Sequence, residues 1–257
     1  MKHIGVLTSG GDAPGMNAAI RSVVRSAIAR RVEVSGIMRG YSGLLNDDIQ
    51  PLSHRSVSNI INRGGTILKT SRSPEFMTKE GQKRAVEVLQ RRGIEGLVVI
   101  GGDGSYRGAL VLSKDWGIPC IGIPGTIDND LNGTDRTLGS DTAVETALDA
   151  IDKIKDTVNS MERIFVVELM GRHCGYLALK AALAGGAEQV LIPEVKFDIA
   201  DVCREITEGY IRGKASWIIV VAEGAARAAD LAKKITEMTD LETRVVVLGH
   251  IQRGGCP

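Results

Sequence analysis

Three glycines, an aspartate and a serine close an apolar run in Gly96-Leu97-Val98-Val99-Ile100-Gly101-Gly102-Asp103-Gly104-Ser105. Glycines let the backbone approach a ligand and turn its N–H groups into a concave anion cradle. A carboxylate in such a cradle repels a bare phosphate, so Asp103 calls for a hard, oxygen-loving divalent cation between them. That is the chemistry of a magnesium-bound nucleotide. Taken alone, a Gly-Gly-Asp-Gly run is equally well a tight turn with a capping aspartate. The rest of the chain decides between them.

A second glycine-bearing segment, Thr8-Ser9-Gly10-Gly11-Asp12-Ala13-Pro14-Gly15, also follows an apolar strand and opens a helix, where backbone amides and the helix dipole attract anions. It matches neither GxGxxG nor GxxxxGK[ST], and gains weight only beside the Gly101 run. Pro124-Gly125-Thr126-Ile127-Asp128-Asn129-Asp130 sets two carboxylates among amide and hydroxyl donors. Most aspartate-rich loops are plain solvated surface. At a strand end of the same sheet, though, one carboxylate suits a general base on an attacking hydroxyl while its neighbour orients a metal shell. In the second half Arg163, Arg172, Arg244, Arg253 and His250 fall at strand ends or in glycine-containing loops. They read as an anion pocket, since arginine forks hold phosphate bidentately. Any one of them alone is more simply a surface cation. Glu223 in Ala-Glu-Gly suits sugar hydroxyls, His3 and His54 read as ordinary residues, and His173 stays open. Arg21 and Arg25 stand four apart on one helical face, a like-charge spacing that costs about a few tenths of a kcal/mol. Solvated charge explains the pair, and so does an anion bridging two subunits.

These residues need a scaffold, and the 257-residue chain supplies one. Short apolar strands alternate with helical patterns, the signature of the α/β class with mostly parallel sheets. Strands are expected at 3–8, 33–38, 96–100, 120–123, 164–168, 189–192, 217–221 and 244–248. Helices are expected at 17–30, 79–92, 140–160, 176–184, 199–212 and 226–238. A loop over 124–139 separates two α/β domains, 1–139 and 140–250, with 251–257 returning to the first. Parallel sheets bind ligands beyond the carboxyl ends of their strands, so the motif loops should meet in one cleft. The net charge of +1 gives no general pull toward nucleic acid or membrane. Four scattered cysteines fit free thiols of a reducing compartment. No apolar run approaches the ~20 residues of a membrane span, so a cytoplasmic protein is expected. The final Gly254-Gly255-Cys256-Pro257 reads as the inside of a turn, so the chain is expected to continue.

Taken in order, Gly-Val-Leu-Thr-Ser-Gly-Gly-Asp, Arg-Gly-Gly-Thr at 63–66, Gly-Gly-Asp-Gly-Ser, Pro-Gly-Thr-Ile-Asp-Asn-Asp, Met-Gly-Arg-His, Val-Ala-Glu-Gly and Leu-Gly-His-Ile-Gln-Arg-Gly-Gly make the chain resemble the bacterial ATP-dependent 6-phosphofructokinases over essentially its whole length. The resemblance implies two Rossmann-like three-layer α/β/α domains, the first for ATP and Mg²⁺ and the second for fructose 6-phosphate. It puts Gly11, Tyr41, Arg72, Ser73, Gly102 to Ser105 and Gly108 on ATP, with Asp103 on the metal. Asp128 becomes the base for the C1 hydroxyl. Thr126 and Arg172 steady the transferring group, with Asp130, Arg72 and Gly11 beside them. Ile127, Arg163, Met170, Gly171, Glu223, Arg244, His250, Ile251, Gln252 and Arg253 complete the sugar-phosphate site, with Arg163 and Arg244 reaching in from a neighbouring subunit of a homotetramer. An effector pocket for ADP or phosphoenolpyruvate maps to Arg21, Arg25, Lys155, Gly186, Ala187, Glu188, Arg212, Lys214, Ala215 and Ser216. Departures are Lys155 for the usual arginine, Asn59 for an aspartate, and Met77 where a basic residue often lies. Glycine at 104 and 125, where pyrophosphate-using relatives have Asp and Lys, favours ATP. NAD kinases and lipid kinases share a strand ending in Gly-Gly-Asp-Gly but lack the Thr-Ile-Asp-Asn-Asp loop. A catalytically dead binding chain is the remaining alternative, against which the intact Asp103, Thr126, Asp128 and Arg172 argue.

Overall fold

The computed structural model describes residues 1–161, 163–214 and 216–257. The chain divides into two units: Met1–Ile127, Leu131–Gly139 and Arg253–Pro257 form the first, Asp128–Asp130 and Ser140–Gln252 the second.

The first unit runs β1 (His3–Thr8), α1 (Met16–Ala29), β2 (Glu33–Ile37), α2 (Gly40–Leu45), β3 (Ile49–Pro51), α3 (Lys79–Arg91), β4 (Gly96–Gly101), α4 (Asp103–Trp116), β5 (Cys120–Thr126) and β6 (Leu138–Gly139). Its sheet has the order β3-β2-β1-β4-β5-β6. Every pairing is parallel except β2 with β3. Strand side chains alternate between faces. Leu7, Leu97 and Val99 therefore share a core with Tyr41, Leu44, Leu89 and Leu112 of α2, α3 and α4. On the other face α1 packs on β1, β2 and β4, burying Met16, Ile20 and Val24. Each fully buried aliphatic side chain contributes about 1.5–3 kcal/mol of transfer free energy.

The second unit runs α5 (Ser140–Met161), β7 (Ile164–Leu169), α6 (Tyr176–Gly185), β8 (Gln189–Leu191), α7 (Ile199–Ile211), β9 (Trp217–Ala222), α8 (Ala228–Thr239) and β10 (Thr243–Val247). The strands lie in the order β10-β7-β9-β8, all parallel. Val167, Leu169, Val220 and Ala222 face α5 and α6. Ile164, Val166, Ile219 and Val221 face α7 and α8. Strands buried on both faces read as unbroken apolar runs, which is why their sequences show no alternation.

The sequence expectation missed α4, α2, β3 and β6. Helix α4 buries only Ser105, Ala109 and Leu112 and starts on the Asp-Gly-Ser of the phosphate motif, so its apolar stripe is too thin to register as a period. The short α2 carries two glycines, and β3 is a three-residue antiparallel edge ending in proline.

Candidate active site

In the first unit, the loops at the carboxyl ends of β1, β4 and β5 pack on one another. A Cβ added to Gly101 would lie 2.5 Å from both the Ser9 carbonyl oxygen and Ser105 Oγ, so only glycine lets the β1 and β4 loops close this tightly. The Ser9 N–H donates to the Ile100 carbonyl at 3.0 Å, and the Thr126 Cβ lies 3.7 Å from a Cβ position on Gly102. Thr137 Oγ1 donates to the Thr126 carbonyl at 2.6 Å. The Arg63–Thr66 segment joins the same edge. Thr8 Oγ1 meets Thr66 Oγ1 at 3.0 Å and donates to the Lys69 carbonyl at 2.9 Å. Asn17, 1% exposed at the start of α1, donates to the Arg63 and Gly65 carbonyls and accepts from the Ile67 N–H. No motif flagged Asn17, although a polar residue on the buried face of α1 was the available signal.

Asp103 is exposed and pairs with the exposed Arg107 at 2.9 Å. Such surface pairs are worth little and exchange readily. Arg72 is exposed and Ser73 half-buried. Tyr41 is spent on packing. Its hydroxyl donates to the Ser105 carbonyl at 2.7 Å, its ring stacks on Phe76 at 4.1 Å, and a Cβ on Gly108 would lie 2.8 Å from that ring. Burial, and secondarily the charge of Cys120, raises the Tyr41 hydroxyl far above its ordinary range. The first unit also contains Arg253, whose Nη1 lies 2.1 Å from a Cβ position on Gly11. A side chain at residue 11 would push that guanidinium aside.

In the second unit, β7 and β9 end side by side. The Glu223 N–H donates to the Leu169 carbonyl at 2.9 Å and the Gly224 N–H to the Gly171 carbonyl at 3.1 Å. A Cβ on Gly224 would lie 1.9 Å from the Arg172 carbonyl oxygen. Gly171 sits at φ 136°, where a Cβ would also meet the Cys174 carbonyl oxygen at 2.5 Å. The backbone under Arg172 is thus fixed while its side chain is exposed. Burial pushes the Cys174 thiol up, and the carboxylates of Glu194, Asp130 and Asp128 add to the rise. That electrostatic reach ties the Asp128–Asp130 segment to the Arg172 loop. The Gly249–Arg253 turn after β10 exposes His250 and Ile251 but buries Gln252 completely. The amide of Gln252 accepts from the Met170 N–H at 2.8 Å.

The expected pocket of four arginines and His250 does not form within one unit. Arg163 precedes β7 and Arg244 is the second residue of β10, so both lie at the amino ends of their strands. Both pair with Glu242, Arg163 at 2.7 Å. Residues 164 to 169 of an extended strand span about 17 Å, farther than an arginine reaches back.

The phosphofructokinase profile matches residues 3–257. The chain belongs to the phosphofructokinase family. It is 59% identical to an ATP-dependent 6-phosphofructokinase of Bacillus velezensis and 58% to that of Bacillus subtilis, covering 100% of this chain and 80% of each relative. The structure of Pichia pastoris phosphofructokinase in the T-state superposes with a TM-score of 0.94 at 37% identity, over 100% of this chain and 30% of that one. A pyrophosphate-dependent phosphofructokinase from Nitrosospira multiformis, 23% identical, has a TM-score of 0.90 over 98% of this chain and 70% of that one. The fold is therefore shared with a pyrophosphate-dependent enzyme, and donor choice must lie in residues.

Among the described residues, no group of three or more His, Cys, Asp or Glu could enclose a metal ion. Magnesium in this family fits Asp103 nonetheless, because the ion is commonly held by one or two carboxylates, with phosphate and water completing its shell. The effector candidates split between the units. Arg21 donates to the Val57 carbonyl at 2.8 Å, and Arg25 is exposed. In the second unit Lys155 Nζ lies 3.1 Å from a Cβ position on the left-handed Gly186 cap of α6. Glu188 pairs with Lys214 at 2.7 Å, and Lys214 lies over the Trp217 ring. Ala187 and Ser216 are half-buried beside them in sequence, Arg212 caps α7, and Ala215 lies outside the described residues.

Proposed function

We propose that this chain transfers the terminal phosphoryl group of ATP to the C1 hydroxyl of fructose 6-phosphate, giving fructose 1,6-bisphosphate and ADP. The observation that carries the reading is the interlocking of Ser9, Gly101 and Ser105 at the carboxyl edge of the first sheet, beside which Asp103 and Gly104 stand exposed for a triphosphate. Gly104 supports ATP as donor, because a Cβ there would meet nothing within 4 Å and its φ needs no glycine. Packing does not require the missing side chain, so its absence leaves room for a nucleotide. Gly125 is weaker support, since Met16 and Ile100 crowd that position at 3.1 and 3.2 Å.

In this reading Gly11, Arg72, Ser73 and Gly102 to Ser105 hold the donor, and Asp103 holds magnesium, which neutralises phosphate charge when bound. Asp128 takes the proton from the C1 hydroxyl as that oxygen bonds to the terminal phosphorus and the bridging oxygen leaves with ADP. Thr126 and Arg172 steady the transferring group, whose charge is spread over three oxygens, so that fixed donors supply most of the catalysis. Asp130 lies beside the base. Met170 and Glu223 bind the sugar, and His250 and Arg253 its phosphate. Arg163 and Arg244, stranded at the amino edge of their own sheet, serve a neighbouring subunit, which supports a homotetramer. The cluster around Gly186 and Glu188, with Arg21 and Arg25, takes an anionic effector such as ADP or phosphoenolpyruvate, and the enzyme works in the cytoplasm.

Asp128→Ser tests the assignment. The kcat should fall by about 10²–10⁴, the usual contribution of a positioned base, while fructose 6-phosphate affinity changes little. An unchanged kcat removes Asp128 as the base.

A further inference from the structure

Gln252 lies between His250 and Arg253 in the turn after β10, yet its side chain is fully buried and cannot touch a substrate. The resemblance implies a sugar-phosphate contact at Gln252, and its side chain has no exposed surface with which to make one. Its Oε1 accepts from the Met170 N–H across 82 residues of sequence. Because an N–H needs an acceptor opposite it, this bond fixes which way the amide points. The other end, Nε2, is buried with no partner among the described residues. Folded proteins seldom leave a buried amide half-satisfied, and each such group calls for an explanation.

Met170 supplies one. It opens the loop that carries Arg172, which is also tied by the Gly224 N–H to the Gly171 carbonyl and by the close fit of Gly224 against the Arg172 backbone. The Gln252 amide joins that loop by a side chain to the turn bearing His250. One end of this link stands two positions after His250 in the chain, the other two positions before Arg172.

We propose that Gln252 is a positioning residue, which holds the Met170–Arg172 loop in register with the His250 turn so that a seated sugar phosphate and a correctly aimed Arg172 occur together. This rests on the roles given to Arg172 and His250 above. The amide acts through its oxygen, and the unpaired nitrogen is the cost of keeping that oxygen at Met170.

Gln252→Leu keeps the bulk and removes the acceptor. Its kcat should fall about 100-fold, the scale of an ångström-sized misplacement, with the KM for ATP unchanged. Gln252→Glu keeps an oxygen for Met170 and should turn over about tenfold faster than the leucine variant, one hydrogen bond's worth of barrier. In an Arg172→Ala background the leucine substitution should change kcat by less than about twofold, because residues acting as a unit are not additive. A merely structural role leaves the full loss in both backgrounds. Wild-type kcat in Gln252→Leu, or equal losses with and without Arg172, overturns the proposal. Should the leucine variant not fold, Gln252→Asn, which withdraws the oxygen by one methylene, enters the same cycle and decides it. A wild-type chain inactive with ATP and fructose 6-phosphate fails the functional reading itself. An active one with additive losses fails only the inference about Gln252.

Discussion

The two edges of the four-stranded sheet use arginine in opposite ways. At the carboxyl edge the backbone beneath Arg172 is fixed by Gly171, Gly224 and Gln252, and the side chain projects into solvent. At the amino edge the strand backbones are ordinary, and the guanidinium groups of Arg163 and Arg244 are held by Glu242 instead. A rigid support with an exposed cation suits a transition-state contact, where geometry decides the rate. A cation with an exchangeable carboxylate partner suits ground-state binding of an anion that displaces it. The chemistry of the residue is the same. What differs is which part of it the fold constrains.

Substitutions should separate these uses. The largest effect is expected for Arg172→Ala, with kcat lower by about 10³ or more, as for other cations on a transferring phosphoryl group, and little change in the KM for fructose 6-phosphate. Steady-state kinetics in which KM absorbed the loss would erase the distinction between the edges. Arg163→Ala and Arg244→Ala should instead raise the KM for fructose 6-phosphate by about tenfold each, the worth of a hydrogen bond to a charged group, and leave kcat nearly untouched. The smallest effect concerns Cys174. Its raised pKa leaves less thiolate at a given pH, and Asp128→Ser removes one of the charges responsible, so alkylation of Cys174 at pH ~8 should speed up by less than about tenfold. Mass-spectrometric labelling with exposed Cys256 as internal reference reads this out, and a slower rate in the variant would contradict the proximity of Asp128.

Much of this was legible in one sequence, and the reasons differ by element. Doubly buried strands such as 164–169 announce themselves because both faces must be apolar. Helix 103–116 did not, because its first turn carries the phosphate motif and its buried stripe is Ser105, Ala109 and Leu112. The glycines of the strand-end loops pointed to close approach, but not to what approaches. Ser9 and Ser105 meet Gly101, Arg253 fills the space at Gly11, and the Arg172 backbone presses on Gly224. Asn17 and Gln252 were beyond reach as positioning residues, since their partners lie 46 to 50 and 82 residues away. The division of the arginines between two edges was within reach, because the strands expected at 164–168 and 244–248 begin just after Arg163 and at Arg244, whereas residue types and glycine flanks alone grouped them with Arg172.

The central claim is that a nucleotide donates a phosphoryl group to a sugar phosphate here. Its most direct test offers the purified chain magnesium and fructose 6-phosphate with either ATP or pyrophosphate, and follows fructose 1,6-bisphosphate through a coupled assay. Product with ATP and none with pyrophosphate is the expected result. Product from pyrophosphate at a comparable rate, or none from ATP, would contradict it.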